Sequence, residues 1–191
     1  MTEFVSRAGQ KLEHALASFG IDVNGLVCAD LGSNAGGFVD CLLQRGAAKV
    51  YAVDTGYGAL EWKLRKDARV VVMERTNAMH ATLAEPVDFV SIDVAWTKQK
   101  HILPAAKRML KEGGQVVTLI KPHYEAEAGM LRGGVLMEEH LAGVLETVKR
   151  AVDEAGFELV RVIESPIKGA KGNVEMLGWL RVTGIGLRPD R

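Results

Sequence analysis

The sequence has little of what would point away from an ordinary globular enzyme. Only two of its 191 residues are cysteine, Cys28 and Cys41, in unrelated contexts. That excludes a disulfide framework and any zinc-type spacing, so no metal is expected. No apolar run approaches the roughly 18 residues of a membrane span. The opening MTEFVSRAGQ lacks the apolar core of a signal peptide, which makes a cytoplasmic location and no membrane partner the expectation. Internal repeats, low-complexity tracts and linkers are missing, so one domain over 1–191 is expected, with a helix over 1–20 packed on it. Charge of one sign is also missing: 24 Lys+Arg face 24 Asp+Glu. Nucleic-acid binders commonly carry a basic excess, but the neutral total hides a partition. Residues 138–164 hold Glu138, Glu139, Glu146, Asp153, Glu154, Glu158 and Glu164 against Lys149, Arg150 and Arg161, which leaves a basic excess elsewhere. Neutrality therefore leaves RNA open and implies weak unaided binding.

What is present is 48% apolar and 25% charged, the balance of a soluble enzyme with a real core. Short apolar runs alternate with helical stretches. Strands are expected at 26–31, 49–53, 69–73, 87–92 and 115–120, with closing strands at 158–163 and 174–182. Helices are expected at 36–45, 59–66, 98–111 (ending at Gly113-Gly114) and 138–155. Nearly continuous apolar strands between helices imply a parallel sheet covered on both faces. The last two strands, joined by a short connection, should pair as a hairpin.

Residues 30–38 read DLGSNAGGF. Asp30 closes the first strand, and Gly32, Ser33, Asn34, Gly36, Gly37 and Phe38 lead into the helix. Glycines there let a ligand approach the backbone, and ligands of such sheets sit at the carboxyl ends of the strands. The pattern is neither GxGxxG nor a Walker loop. An acid in the turn suits a cationic ligand, and Asp54, ending the second strand, suits ribose hydroxyls. S-adenosyl-L-methionine has both features. Asn77 in ERTN is placed to meet adenine or to form a turn, and Asp93 ends the fourth strand at the same edge. Lys121, in LIKPHYE, follows the fifth strand and belongs beside Asp93, where a lysine could act as a base.

In order along the chain, SRAGQKL (6–12), DLGSNAGGF, YAVDTGYG (51–58), ERTN (74–77), SIDV (91–94), LIKPHYE (119–125) and GNVEMLGWLR (172–181) resemble the FtsJ-like ribose methyltransferases, most closely the TlyA type that is often labelled hemolysin. The resemblance implies a Rossmann-like class I S-adenosylmethionine-dependent methyltransferase fold. Its α/β sheet would be seven-stranded and mostly parallel, with one antiparallel strand. It implies 2′-O-methylation of ribose in ribosomal RNA and a Lys-Asp-Lys-Glu tetrad at Lys11, Asp93, Lys121 and Glu175. In that scheme Lys121 takes the hydroxyl proton or stabilises the alkoxide, and Asp93 orients it. Lys11 and Glu175 hold the other side, with Lys11 also meeting phosphate. Candidate RNA contacts are Arg7, Lys11, Arg75, Lys168 and Lys171, with Trp96, His123 and Tyr124 as stacking surfaces. The glycine-rich stretches 129–134 and 168–172 are expected to be mobile loops.

The sequence departs from the TlyA type in three ways. The sequence begins where the S4-like RNA-binding domain typical of that type would end, so it is expected to lack that domain and to rely on a helper protein or RNA-binding partner. Ala8 replaces a usual glycine, and 94–100 is less apolar than usual. Three rival functions remain. A small-molecule or protein methyltransferase would share 30–38 but need neither lysine. A lytic, non-enzymatic hemolysin would need a span or a cationic amphipathic helix. An NAD-type dehydrogenase would need a different glycine pattern.

Overall fold

The computed structural model describes residues 3–183; the expected helix over 1–20 and domain over 1–191 extend outside the described residues at their ends. Its sheet is built from β1 (Val27–Leu31), β2 (Lys49–Val53), β3 (Val70–Met73), β4 (Val87–Ile92), β5 (Leu110–Ile120), β8 (Phe157–Glu164) and β9 (Met176–Val182). A separate two-stranded ribbon pairs β6 (Leu131–Arg132) with β7 (Val135–Leu136). The helices are α1 (Ala8–Phe19), α2 (Gly37–Gln44), α3 (Trp62–Arg65), α4 (Gln99–Met109), α5 (Pro122–Glu125) and α6 (Glu138–Glu154).

The strand order is β3-β2-β1-β4-β5-β9-β8, with β9 antiparallel to both neighbours. The chain winds outward from β1 in one direction and then restarts at β4 in the other. The carboxyl ends of β1 and β4 therefore diverge, and a crevice opens there. The antiparallel strand has a second effect. Ile120 pairs with Met176, so Glu175, at the start of β9, comes to the same sheet edge as Lys121, just past the end of β5.

Side-chain alternation fills both faces. Cys28, Val50, Phe89 and Leu177 pack under α1 and α2, while Ala29, Val53, Ile92 and Leu180 pack under α4 and α6. In α1 the buried residues Leu12, Ala15, Leu16 and Phe19 follow helical spacing, and Gly20 ends the helix at φ 68°. The start of α1 presses on α2, and a Cβ at Gly37 would fall 2.3 Å from Ser6 Oγ. This packing holds residues 6–8 over the crevice.

Three segments differ from the sequence expectations. Helix α4 ends at Met109 and passes directly into β5, which contains Gly113 and Gly114. Pairing of Leu110 with Val87, followed by a register shift, extends the strand through the glycines. The expected helix over 59–66 contracts to α3. The stretch 129–134, expected to be a mobile loop, contributes to the β6–β7 ribbon and is hydrogen-bonded to the turn at 168–172.

Candidate active site

The crevice contains two adjoining cavities of about 330 and about 560 Å³, which share Gly32, Asn34, Asp93 and Ala95. Together they form a trough along the ends of β2, β1 and β4. The turn after β1 is shaped by its backbone. Gly32 has φ 91°, and a Cβ there would meet the Asp93 carbonyl oxygen at 2.5 Å. The backbones leaving β1 and β4 approach this closely only with glycine. Asn34, at φ 45°, tolerates the left-handed region better than most residues.

The larger cavity is lined by Val53, Asp54, Asn77, Ala78, Trp96 and Ile102, among others. The Asp54 carboxylate accepts N–H bonds from Asn34 (2.8 Å) and Gly56 (2.7 Å). These bonds fix it at the rim with acceptor capacity remaining for a diol. Asn77 faces this cavity, and its Oδ1 also accepts from the Met79 N–H at 2.9 Å, so the residue serves a turn as well. Trp96 stands 79% exposed at the mouth.

The smaller cavity is lined by Ser6, Arg7, Lys11, Asp30, Ser33 and Phe38, among others, and reaches Lys121. Asp30 is fully buried. Its Oδ1 accepts the Ser91 hydroxyl at 2.7 Å, and its Oδ2 has no partner among the described residues. Burial pushes its carboxyl up to about 8, with the charges of Asp93 and Asp54 adding and the Ser91 bond opposing. A buried carboxyl left open in this way suits a cation, which would favour its ionised form. The ammonium and sulfonium of S-adenosylmethionine supply that chemistry, while Asp54 suits its ribose. The residues present therefore fit the cofactor.

Two ion pairs stand at the end of the trough. Lys121 Nζ lies 2.7 Å from Asp93 Oδ1 and donates to the Val94 carbonyl at 3.0 Å. Lys11 Nζ donates to Glu175 Oε2 at 2.5 Å, with the two side chains only 9% and 5% exposed. Four segments remote in sequence meet here, and the structure brings all four expected tetrad residues together.

Several other expected site residues stand differently. Gly36 lies off the cavities; its φ of 98° and the Leu64 side chain, 2.3 Å from where a Cβ would sit, explain the glycine through packing. Lys11, expected also to meet phosphate, is buried and committed to Glu175. His123 is 8% exposed and so is not an open stacking surface; it packs against Tyr124 at 4.1 Å. Burial lowers the His123 pKa, Glu175 opposes that shift and Lys121 adds to it. Arg75 lies 4.2 Å over the Tyr57 ring. Lys168 and Lys171 are exposed, on the turn preceding Glu175. Sequence reasoning missed Ser91 and Asn173, both buried and polar. Ser91 was detectable as a hydroxyl within an otherwise apolar strand beside an acid-bearing one.

Known proteins share the family and the fold. Residues 4–182 match the family described as FtsJ-like methyltransferase. The chain is 43% identical, over 93% of its length and 68% of the other's, to the 16S/23S rRNA (cytidine-2′-O)-methyltransferase TlyA of Mycobacterium tuberculosis. A solved structure titled as a hemolysin, from Streptococcus thermophilus, superposes with TM-score 0.93 at 42% identity, covering 96% of this chain and 68% of that one. An S-adenosylmethionine-dependent methyltransferase from Mesorhizobium loti shares the fold at TM-score 0.68 and 18% identity, over 93% and 99% of the two chains.

Proposed function

The chain belongs to the FtsJ-like methyltransferase family, and from that premise we propose that it transfers a methyl group from S-adenosylmethionine to a ribose 2′-hydroxyl of ribosomal RNA. The observation that carries this reading is the meeting of the Lys121–Asp93 and Lys11–Glu175 pairs at the end of the trough. When bound, S-adenosylmethionine supplies an electrophilic methyl on a sulfonium and leaves as the neutral thioether.

The chain's own residues do the rest. Asp54 and Asn77 hold the nucleoside, and Asp30, Ser33 and Asn34 hold the amino-acid end. Lys121 has two of its three donor directions committed, to Asp93 and to the Val94 carbonyl. The third position of Nζ faces the acceptor oxygen: as the lone pair of the neutral amine it takes the hydroxyl proton, and as an N–H of the ammonium it stabilises the developing alkoxide. Asp93 orients that lysine. The Lys11–Glu175 pair forms the wall that fixes the ribose, so that much of the acceleration comes from positioning. Arg7, Arg75, Lys168 and Lys171 contact RNA, and Trp96 stacks on a base. The reading includes action in the cytoplasm and a helper that adds RNA affinity.

Mass mapping of 2′-O-methyl groups in ribosomal RNA incubated with the protein and labelled S-adenosylmethionine tests this. A new 2′-O-methyl ribose that disappears with Lys121→Ala and with Asp93→Ala is expected. Methylation confined to small molecules or to protein, or full activity in both variants, would overturn it. Among the described residues no helix is long and apolar enough to cross a membrane, and no feature of the trough is explained by a lytic role.

A further inference from the structure

Resting on that reading, we propose that Asn173 is a positioning residue for the RNA acceptor. It locks the β6–β7 hairpin to the 168–172 turn, making a single jaw over the Lys11–Glu175 pair. Asn173 is 3% exposed. Its Nδ2 donates to the Gly134 carbonyl at 3.0 Å and to the Ala170 carbonyl at 3.1 Å, and its Oδ1 accepts the Leu136 N–H at 3.2 Å. One side chain thus holds two loops that are far apart in sequence. Its carbonyl accepts the Gly169 N–H at 2.9 Å, which closes the turn. Lys171 Nζ adds a bond to the Gly133 carbonyl at 3.2 Å. Lys171 sits at φ 57°, a conformation a non-glycine keeps only where its surroundings enforce it.

The jaw touches both halves of the tetrad. Gly169 lies against the Glu175 carboxylate so closely that a Cβ would fall 2.4 Å from Oε1. On the other side β7 packs on α5, the helix that begins immediately after Lys121. A ribbon of two-residue strands has almost no stability of its own, so its placement depends on what ties it down. Arg132, Lys168 and Lys171 are exposed on this unit. Three cations on one rigid piece beside the acceptor site suit the phosphates flanking the target nucleotide. Releasing Asn173 would separate those cations from one another and from Glu175, while leaving the S-adenosylmethionine trough as it is.

The test uses the full chain with S-adenosylmethionine and ribosomal RNA. Asn173→Ala is expected to raise the KM for RNA at least tenfold and to accelerate amide hydrogen exchange across 131–137. S-adenosylmethionine affinity by calorimetry should stay within twofold. Asn173→Asp keeps the acceptor for Leu136 but loses both donations, and should behave like the alanine variant. An unchanged RNA KM, unchanged exchange, or a parallel loss of S-adenosylmethionine affinity would overturn the proposal. Should Asn173 variants not fold, the exposed pair Arg132→Ala/Lys171→Ala replaces them. That variant should flatten the salt dependence of RNA binding by about two phosphate contacts, and an unchanged slope overturns the jaw. Failure of the broader reading looks different, because the wild-type protein would then methylate no RNA.

Discussion

The Lys11–Glu175 pair allows stability and chemistry to be separated. Both side chains are more than nine-tenths buried and bonded at 2.5 Å. Lys11→Met leaves Glu175 as an uncompensated buried carboxylate, and Glu175→Met leaves the lysine in the same position. Breaking a buried pair by removing one partner costs about 3–5 kcal/mol. For a domain of this size each kcal/mol moves the melting temperature by about 2–4 °C, so each single variant should melt roughly 6–20 °C lower. The double variant Lys11→Met/Glu175→Met leaves no buried charge in the pair. It is expected within about 1 kcal/mol of wild type, or above it. Thermal and urea unfolding give the stabilities, and transfer of labelled methyl to ribosomal RNA gives the activity. The proposed role requires activity to remain lost in the double variant although stability returns. Single variants costing under about 1 kcal/mol, or a double variant equal to the sum of the singles, would refute the physical account. Recovery of activity with stability would refute the functional one.

Other positions give independent tests. Asp54→Ala removes the carboxylate that ties the Asn34 and Gly56 amides and that the proposed reading assigns to the ribose. S-adenosylmethionine binding should weaken about ten- to hundredfold by calorimetry, since hydrogen bonds to charged groups are worth about 1.5–3 kcal/mol. Asp30 titrates near 8 in the folded protein, well above the ordinary carboxylate range. The folded state therefore holds a proton that the unfolded state has released, and stability without cofactor should fall as pH rises from about 4 to about 8. Affinity for the cationic cofactor should rise over the upper part of that window, as the carboxylate forms. Asp30→Asn should remove both slopes, and a pH series of urea melts and titrations that keeps them would contradict the assignment. Gly32→Ala combines a forbidden φ of 91° with a Cβ 2.5 Å from the Asp93 carbonyl. It should lower the unfolding free energy by at least the ~1–3 kcal/mol of backbone strain and weaken cofactor binding; an unchanged urea midpoint would count against the close approach.

The strands over 49–53 and 87–92 were legible residue for residue, because a buried strand between turn signals has few alternatives. Asp54, Asp93 and Lys121 were legible for the same reason, since a charged residue directly after an apolar strand can only stand at the sheet's edge. The α4–β5 junction was not. Gly113 reads as a helix stop, yet pairing with β4 draws the chain into an extended form before it. The β6–β7 hairpin was equally hidden, because Leu131-Arg132 and Val135-Leu136, on either side of a glycine pair, are too short to carry a measurable period. Lys11 and Glu175 looked like ordinary surface and strand-end residues. Their significance comes from a contact spanning 164 positions, which local pattern cannot encode; only the family resemblance pointed to them.

The placement of β9 between β5 and β8 also has a temporal side. The donor trough is complete once β4, the loop after it and the start of α4 have been made, because its lining ends at Ile102 apart from Lys121. Glu175 arrives only with the last strand of the sheet, and until β9 inserts, Lys11 has no buried partner. A chain emerging from synthesis can thus assemble the place for its methyl donor well before it can receive a ribose. These far-separated contacts are the slow ones to form. On the proposed reading, methyl transfer is thereby tied to completion of the fold: a polypeptide stopped before β9 retains the trough's residues but lacks the Lys11–Glu175 wall proposed to hold the acceptor.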